Sequence, residues 1–369
     1  MNEHICSVCG CVIEEEDHRR FDGQDICADC LDDNTYTCAC CGERIWNEDD
    51  AGEGYIHLCQ SCRDHRYTTC ESCGRLIHYD DAYYDDDDDE DGPYCYDCYN
   101  RHRDNRVIQN YYYKPEPVFF GDGPRYFGVE LEIDGGGESN SNAELILDRA
   151  NDNGTEVMYA KHDGSLDDGF ELVTHPLSFA YHMNEFPWPS VLNEARQLGY
   201  LSHRANTCGL HIHVSRDAFG ETRAEQEPCI ARVLYFVEKN WEELLKFSRR
   251  TPRQLERWAA RYGLKENPLD ILDHAKKGYH AGRYTCVNLE NSDTIEFRMF
   301  RGTLKLNTLL ATIQMVDRIC DVALNLTDEE VKAMSWTTFV SGCTRPELVQ
   351  YLKERRLYIN EPIDTEEEV

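Results

Sequence analysis

Positive charge is what this sequence has least of. Its 369 residues carry 38 Lys and Arg against 70 Asp and Glu, a formal charge of −32. Non-specific grip on DNA or on anionic lipid rests on neutralising phosphates with basic side chains, so the balance argues against nucleic-acid and membrane-surface partners. No apolar run approaches the ~18 residues of a membrane helix. The start, MNEHICSVCG, has neither the basic residues nor the apolar stretch of a secretory signal, so a reducing, cytoplasmic home is expected. The motif G-x-x-x-x-G-K-[ST] is missing, which excludes the P-loop route to ATP. G-x-S-x-G and H-E-x-x-H are missing too, so common hydrolase chemistries find no support. What the chain does have is enough apolar material for a core, 41% hydrophobic with 22 Tyr and 13 Phe. At roughly 100–200 residues per domain, its length allows two or three domains.

Cysteine divides the chain. Fourteen of the 19 precede residue 99, and twelve of these form C-x-x-C pairs: Cys6/Cys9 with Cys27/Cys30, Cys38/Cys41 with Cys59/Cys62, and Cys70/Cys73 with Cys95/Cys98. The modules start 32 residues apart, an internal repeat of one structural unit. Two residues between cysteines let a tight knuckle aim both sulfurs at one ion, and two knuckles complete a tetrahedral zinc site. Gly10, Gly42 and Gly74 follow the knuckles, where a left-handed backbone is often needed. Such small modules have almost no core, so metal must supply their folding energy. About three structural Zn2+ ions are expected, in modules spanning 1–32, 33–64 and 65–104. Cys11 and Cys40 read as spare thiols, and His57 and His78 as non-ligands. Residues 1–113 hold 28 acidic and 9 basic side chains, a balance of −19. That is the wrong footprint for nucleic acid and leaves docking of a protein or presentation of substrate. The run Asp85–Asp91 reads as a solvated loop rather than a calcium site.

A linker is expected over 105–117, including YYYKPEP, and a second domain over 118–360. Its segments alternate as strands do. In RYFGVELEID, Phe127, Val129, Leu131 and Ile133 share one face, with Gly128, Glu130, Glu132 and Asp134 on the other. Carboxylates crowded on one strand face repel each other unless a cation offsets them. In GLHIHVS the pair His211 and His213 points one way, and in TIEFRMFRG so do Glu296 and Arg298. KHDGSL and GFELVTHPL add Asp163, Ser165 and Glu171, while Gly135–Gly137 reads as a turn. An amphipathic helix is expected over 230–245 and another over 309–323. The fold class is therefore α+β: a mainly antiparallel sheet of about six strands with helices on one face, leaving the other face for a site. Carboxylates with histidine favour Mg2+ or Mn2+. Arg249 and Arg250 read as cations at an exposed helix end, with contact to an anionic substrate as the second reading.

FGVELEI, KHDGSL, FELVTHPL, GLHIHVS and TIEFRMFRGTL, in that order, resemble the glutamine synthetase-like carboxylate–amine ligases, and more narrowly the amidoligase family related to glutamate–cysteine ligases. The zinc modules resemble zinc-ribbon and LIM-type units. The ligase resemblance covers about residues 120–330 and implies an enzyme that forms C–N bonds with ATP and two or three Mg2+ ions. It implies Glu130, Glu132, Glu171, His211 and Glu296 as metal ligands, with His213 bordering the nucleotide. Arg298 would meet the phosphates, with Arg301 and Arg283 as further candidates, and Asp163 would position or deprotonate the amine. ATP would activate a small-molecule or peptide carboxylate as an acylphosphate for attack by an amine. An inert ligase fold serving as a zinc-module adaptor, and a metal-dependent phosphohydrolase, are the competing classes.

Overall fold

In a computed structural model, which describes residues 4–84, 92–99, 106–151, 154–277 and 282–358, the chain divides into two units, Met1–Arg106 and Val107–Val369. The Asp85–Asp91 run lies outside the described residues.

The first unit repeats a small hairpin grammar. β1 (His4–Ile5) pairs with β2 (Val12–Ile13), β3 (His18–Phe21) with β4 (Gln24–Cys27), β5 (Thr35–Thr37) with β6 (Arg44–Trp46), and β7 (Tyr67–Thr69) with β8 (Leu76–His78). Each opening knuckle closes alike: Gly10, Gly42 and Gly74 adopt φ of 77°, 76° and 73° and donate to the carbonyls of Cys6, Cys38 and Cys70 at 2.8–2.9 Å. A Cβ would be strained at that φ, which is why glycine recurs at the 32-residue spacing. Apolar filling is slight. Ile13 and Ile26, Leu58 and Leu76, and Ile77 and Tyr94 form small clusters around the buried thiols.

The second unit is built on one sheet, in the order β15 (Val287–Asn288), β16 (Thr294–Arg301), β14 (Gly209–Ser215), β10 (Tyr126–Ile133), β12 (Phe170–Thr174), β11 (Met158–Lys161), β9 (Ile108–Gln109), with β13 (Leu177–Ser178) also pairing with β10. All pairs are antiparallel except β9 with β11. Among the described residues the sheet thus has eight strands rather than about six, three of them (β9, β13 and β15) two-residue strands too short to show alternation. Ile108–Gln109 belongs to it, so the stretch expected as a linker is part of the domain. Phe127, Val129, Leu131 and Ile133 are fully buried and share one core with Ala143 and Ile146, Val191 and Leu192, Val233 and Leu234, and Leu309 and Ile313. These come from helices Asn140–Ala150, Trp188–Gln197, Arg223–Lys239 and Leu306–Asn325. The single helix expected over 230–245 is two. Arg223–Lys239, opened by a Thr222/Glu225 capping box, stops at Asn240, and Trp241–Ser248 follows. Asn240 departs from helical geometry at φ −103°, ψ 34°. Among the described residues no helix is long and apolar enough to cross a membrane.

Candidate active site

With the apolar side chains turned into the core, the pleat sends the alternate set to the other face, and strand register brings them into a row. Glu132 stands opposite Glu171 across β10 and β12, and Glu130 opposite His211 across β10 and β14. His213 stands opposite Glu296 across β14 and β16, and Lys161 opposite Glu171 across β11 and β12. An irregularity between Leu210 and Ile212 in the pairing with β16 re-aims the strand where His211 sits, as bulges do beside functional sites.

The groups touch. His211 Nδ1 lies 3.2 Å from Glu130 Oε2 and 3.5 Å from Glu296 Oε1, while its Nε2 is 3.5 Å from Glu132 Oε1. His213 Nε2 is 3.0 Å from Glu130 Oε1 and 3.9 Å from Glu296 Oε1. Asn288 donates to Glu296 Oε2 at 2.8 Å, Arg298 pairs with the other oxygen, and Lys161 lies 3.8 Å from Glu171. Glu130, His213 and Glu296 offer ligand atoms within 4.8 Å of one another. His213, expected only at the nucleotide border, therefore stands with these carboxylates as His211 does. Gly209 closes the floor by donating to Glu132. A Cβ there would come within 2.5 Å of Arg250 and 2.7 Å of His211, so only glycine lets these two side chains approach the strand so closely.

Crowding splits the acids electrostatically. Burial works against the charged form of Glu130, but the His213 charge and the His211 hydrogen bond outweigh it and hold Glu130 well below the usual carboxylate range. Burial, then Glu130, pushes Glu171 well above that range, and burial also raises Glu132. Acids pushed apart in this way mark a cluster with more negative charge than its protein partners offset.

Three adjoining cavities lie over the row. The largest, about 580 Å3, is lined by Tyr111, Tyr112, Tyr113, Tyr126 and Tyr159 and reaches Glu130 and His213. A central one of about 240 Å3 has Lys161, Asp163, Glu171, Arg283, Glu296 and Arg298 on its walls. An inner one of about 290 Å3 shares Asp163, His211, Arg283 and Arg298 with it and adds Glu132, Arg250, Arg257 and Trp258. Asp163 turns one oxygen back to the amide of Ser165 at 2.7 Å. Arg301 does not join the site. It donates to Asn206 at 2.8 Å and lines a separate cleft, because the β16 residues past Arg298 run beyond the row. Lys161, Asn288 and the tyrosines at 111–113 were not foreseen here, while Arg250 lines the inner pocket as its second reading, contact with an anionic substrate, would have it. In MYAK the alternation of Met158 and Ala160 with Tyr159 and Lys161 was the available signal for the lysine.

In the first unit, Cys38, Cys41, Cys59 and Cys62 gather their sulfurs within 4.8 Å, as do Cys70, Cys73, Cys95 and Cys98. The first module gathers Cys6, Cys9, Cys11 and Cys27, with Cys30 also interacting with Cys27, Cys9 and Cys6. Cys11 is thus no bystander. The left-handed Gly10 swings it back until its sulfur is 3.2 Å from that of Cys9. Cys40 similarly approaches Cys62. His57 Nδ1 lies 2.6 Å from Asp50 Oδ2.

Residues 138–320 match the family model described as "Putative amidoligase enzyme". This region belongs to the amidoligase family. The match spans β11, β12, β14 and β16 and so takes in Asp163, Glu171, His211 and Glu296; Glu130 and Glu132 lie just ahead of it on β10. No curated protein matches the chain. Among solved structures, the chain is similar to one described as the complex between Prokaryotic Ubiquitin-like Protein Pup and its ligase PafA. The identity is 10%, the alignment covers 65% of this chain and 59% of that one, and the TM-score is 0.26.

Proposed function

We propose that the protein is an ATP- and Mg2+-dependent carboxylate–amine ligase that forms an amide through an acylphosphate. The carrying observation is the row of Glu171, Glu130, Glu132, His211 and Glu296 across four paired strands, flanked by Lys161 and Arg298. Carboxylate oxygens with imidazole nitrogens are a donor set for Mg2+ or Mn2+, and the central cavity of about 240 Å3 lies beside Glu130, Glu171, His211 and Glu296. Mg2+ held there supplies neutralisation of polyphosphate charge.

The tyrosine-lined cavity suits an adenosine, since aromatic rings stack on a base. The triphosphate would then extend over the central cavity, where Lys161, Arg283 and Arg298 offer cationic donors to its oxygens. The carboxylate substrate enters the inner pocket. Its oxygen attacks the terminal phosphorus, the bond to ADP breaks, and an acylphosphate forms. The amine nitrogen next attacks the acyl carbon, phosphate leaves, and Asp163, on the wall shared by both cavities, takes the amine proton. Arg257 stacked at 4.3 Å over Trp258 walls the inner pocket against water that would hydrolyse the intermediate.

The thiol groups of the first unit fit structural Zn2+, and the acidic zinc modules serve to dock a protein or a substrate. An inert adaptor is the weaker reading, because an inert fold gains nothing from burying Glu132, Glu171 and Glu296 side by side. Incubation with ATP and pooled amino acids, polyamines and peptides, followed by mass spectrometry, should reveal ADP and a condensed product. Glu132→Ala and Glu296→Ala should each lower ADP formation by about 100-fold or more; normal turnover in both variants would remove the ligase assignment.

A further inference from the structure

In a protein so short of basic residues, one cleft collects them. Arg249, Arg250, Arg301 and Arg355, with Lys246 and His203, line a solvent-open cleft of about 790 Å3 whose one acidic lining residue is Glu242. The acceptors these arginines hold are neutral. Arg249 meets His203 Nε2 at 3.0 Å, Arg250 the Phe300 carbonyl at 3.2 Å, Arg301 Asn206 Oδ1 at 2.8 Å, and Arg355 the Lys246 carbonyl at 2.8 and 3.0 Å. Glu132 offsets part of the Arg250 charge and Glu354 lies near Arg249, but Arg301 is still repelled by Arg249 and Arg250 by Arg301, which favours a bound anion. Their field is visible at His203, which burial and then Arg249 and Arg301 push down to about 4.

Backbone geometry ties this cleft to the active site. Arg249 ends helix Trp241–Ser248 in the left-handed region at φ 62°, a conformation costly for a long side chain. The turn sends two consecutive arginines to different places. Arg249 stays in the outer cleft, while Arg250, half-buried, lines both that cleft and the inner pocket beside Glu132 and Asp163.

We infer that the outer cleft and the inner pocket form one anion-binding track through Arg250, and that the carboxylate substrate is an acidic peptide. This rests on the ligase reading for the reacting end. That carboxylate sits between Arg250 and Arg298, and further carboxylates of the peptide lie along Arg249, Arg301 and Arg355. The inner pocket, about 290 Å3, holds one residue, and the larger open cleft beyond it has no use for a free amino acid. The outer cleft has no Phe, Tyr or Trp on its lining, whereas single-stranded nucleic acids are held mainly by stacking bases on such rings. Peptide is therefore favoured over nucleic acid.

The test is fluorescence anisotropy of labelled hexaglutamate with the full-length protein and no nucleotide. Saturable binding is expected. The double variant Arg249→Asn, Arg355→Glu should weaken it about tenfold or more, with an unchanged melting temperature. Free glutamate should compete at least ~100-fold less well than unlabelled hexaglutamate, and a six-residue oligothymidylate should not compete. Equal binding by the variant, equal competition by glutamate, or displacement by the oligonucleotide overturns the inference. Because no ATP is present, peptide binding without ATP turnover would remove the ligase reading and leave the track; turnover without peptide binding would do the reverse.

Discussion

At the scale of single residues, the sheet separates groups that must stay neutral from groups that must share charge. His182 is of the first kind. It is fully buried, its Nε2 donates to the Phe127 carbonyl at 3.1 Å, and burial pushes its pKa down to about 4. In the unfolded chain a histidine titrates near 6.5, so between about pH 6.5 and 4 the unfolded state binds a proton that the native state refuses. Stability is therefore full above 6.5 and falls as pH drops toward 4. The loss is about 3 kcal/mol, from a shift of roughly 2.5 units at 1.36 kcal/mol each. His182→Phe should flatten that acid limb while lowering stability at pH 7.5, where the lost hydrogen bond is felt. Melting temperatures across pH 4.5–7.5 (about three units) check it, and an unchanged acid slope would refute it. Since His182 holds β10 by the carbonyl of Phe127, the same titration bears on the strand that carries Glu130 and Glu132.

At the scale of elements, the segment Tyr111–Pro117 is decisive. Ile108–Gln109 joins β11 as a parallel edge strand, and the tyrosines after it line the cavity of about 580 Å3 over the row, with Lys161 and Arg283 at 5.6 and 5.5 Å from the Tyr111 ring. A fragment beginning at residue 107 should bind a fluorescent ATP analogue with Mg2+. One beginning at 118 should bind about tenfold less tightly, since a stacked base is worth ~1–3 kcal/mol. Equal affinity of two folded fragments would take the adenosine out of this cavity. The sequence could not show this role, because YYYKPEP has neither helical nor strand period and its place is set by pairing with Met158–Lys161, some fifty residues on. For Arg250 substrate contact was only the second reading, because FSRR looks like any helix end and only the left-handed Arg249 separates the two side chains. Where period and repeat act locally, the reading was sound. Glu130, Glu132, His211 and Glu296 were placed by alternation, and the knuckles by spacing. The repeat holds a further signal. His18 and Asp25 of the first module, 2.8 Å apart, become Asp50 and His57 of the second, 2.6 Å apart. The exchange at the 32-residue offset keeps one hydrogen bond while swapping its partners.

At the scale of the whole molecule, the two units are stabilised by different physics, and a chelator should tell them apart. The second unit buries a continuous core of strand and helix side chains and needs no metal to fold. The first has three clusters of a few apolar residues around buried thiols, far too little to offset the conformational entropy of its ordered residues, about 1–2 kcal/mol each. Ligation of the thiolates must supply the difference, on the order of 10 kcal/mol per site. Elemental analysis should therefore find about three zinc ions per chain. A strong chelator should unfold the first unit around its Cys6, Cys38 and Cys70 knuckles and leave the melting of the second unit unchanged. The readouts are tryptophan fluorescence, since Trp46 packs against Phe21 in the first unit, and calorimetry, in which only one transition should move. Fewer than two zinc ions, or a first unit indifferent to chelation, would refute the metal account. Residues 107–369 should still turn over ATP, because every carboxylate of the row and every lining residue of its three cavities lies in that unit.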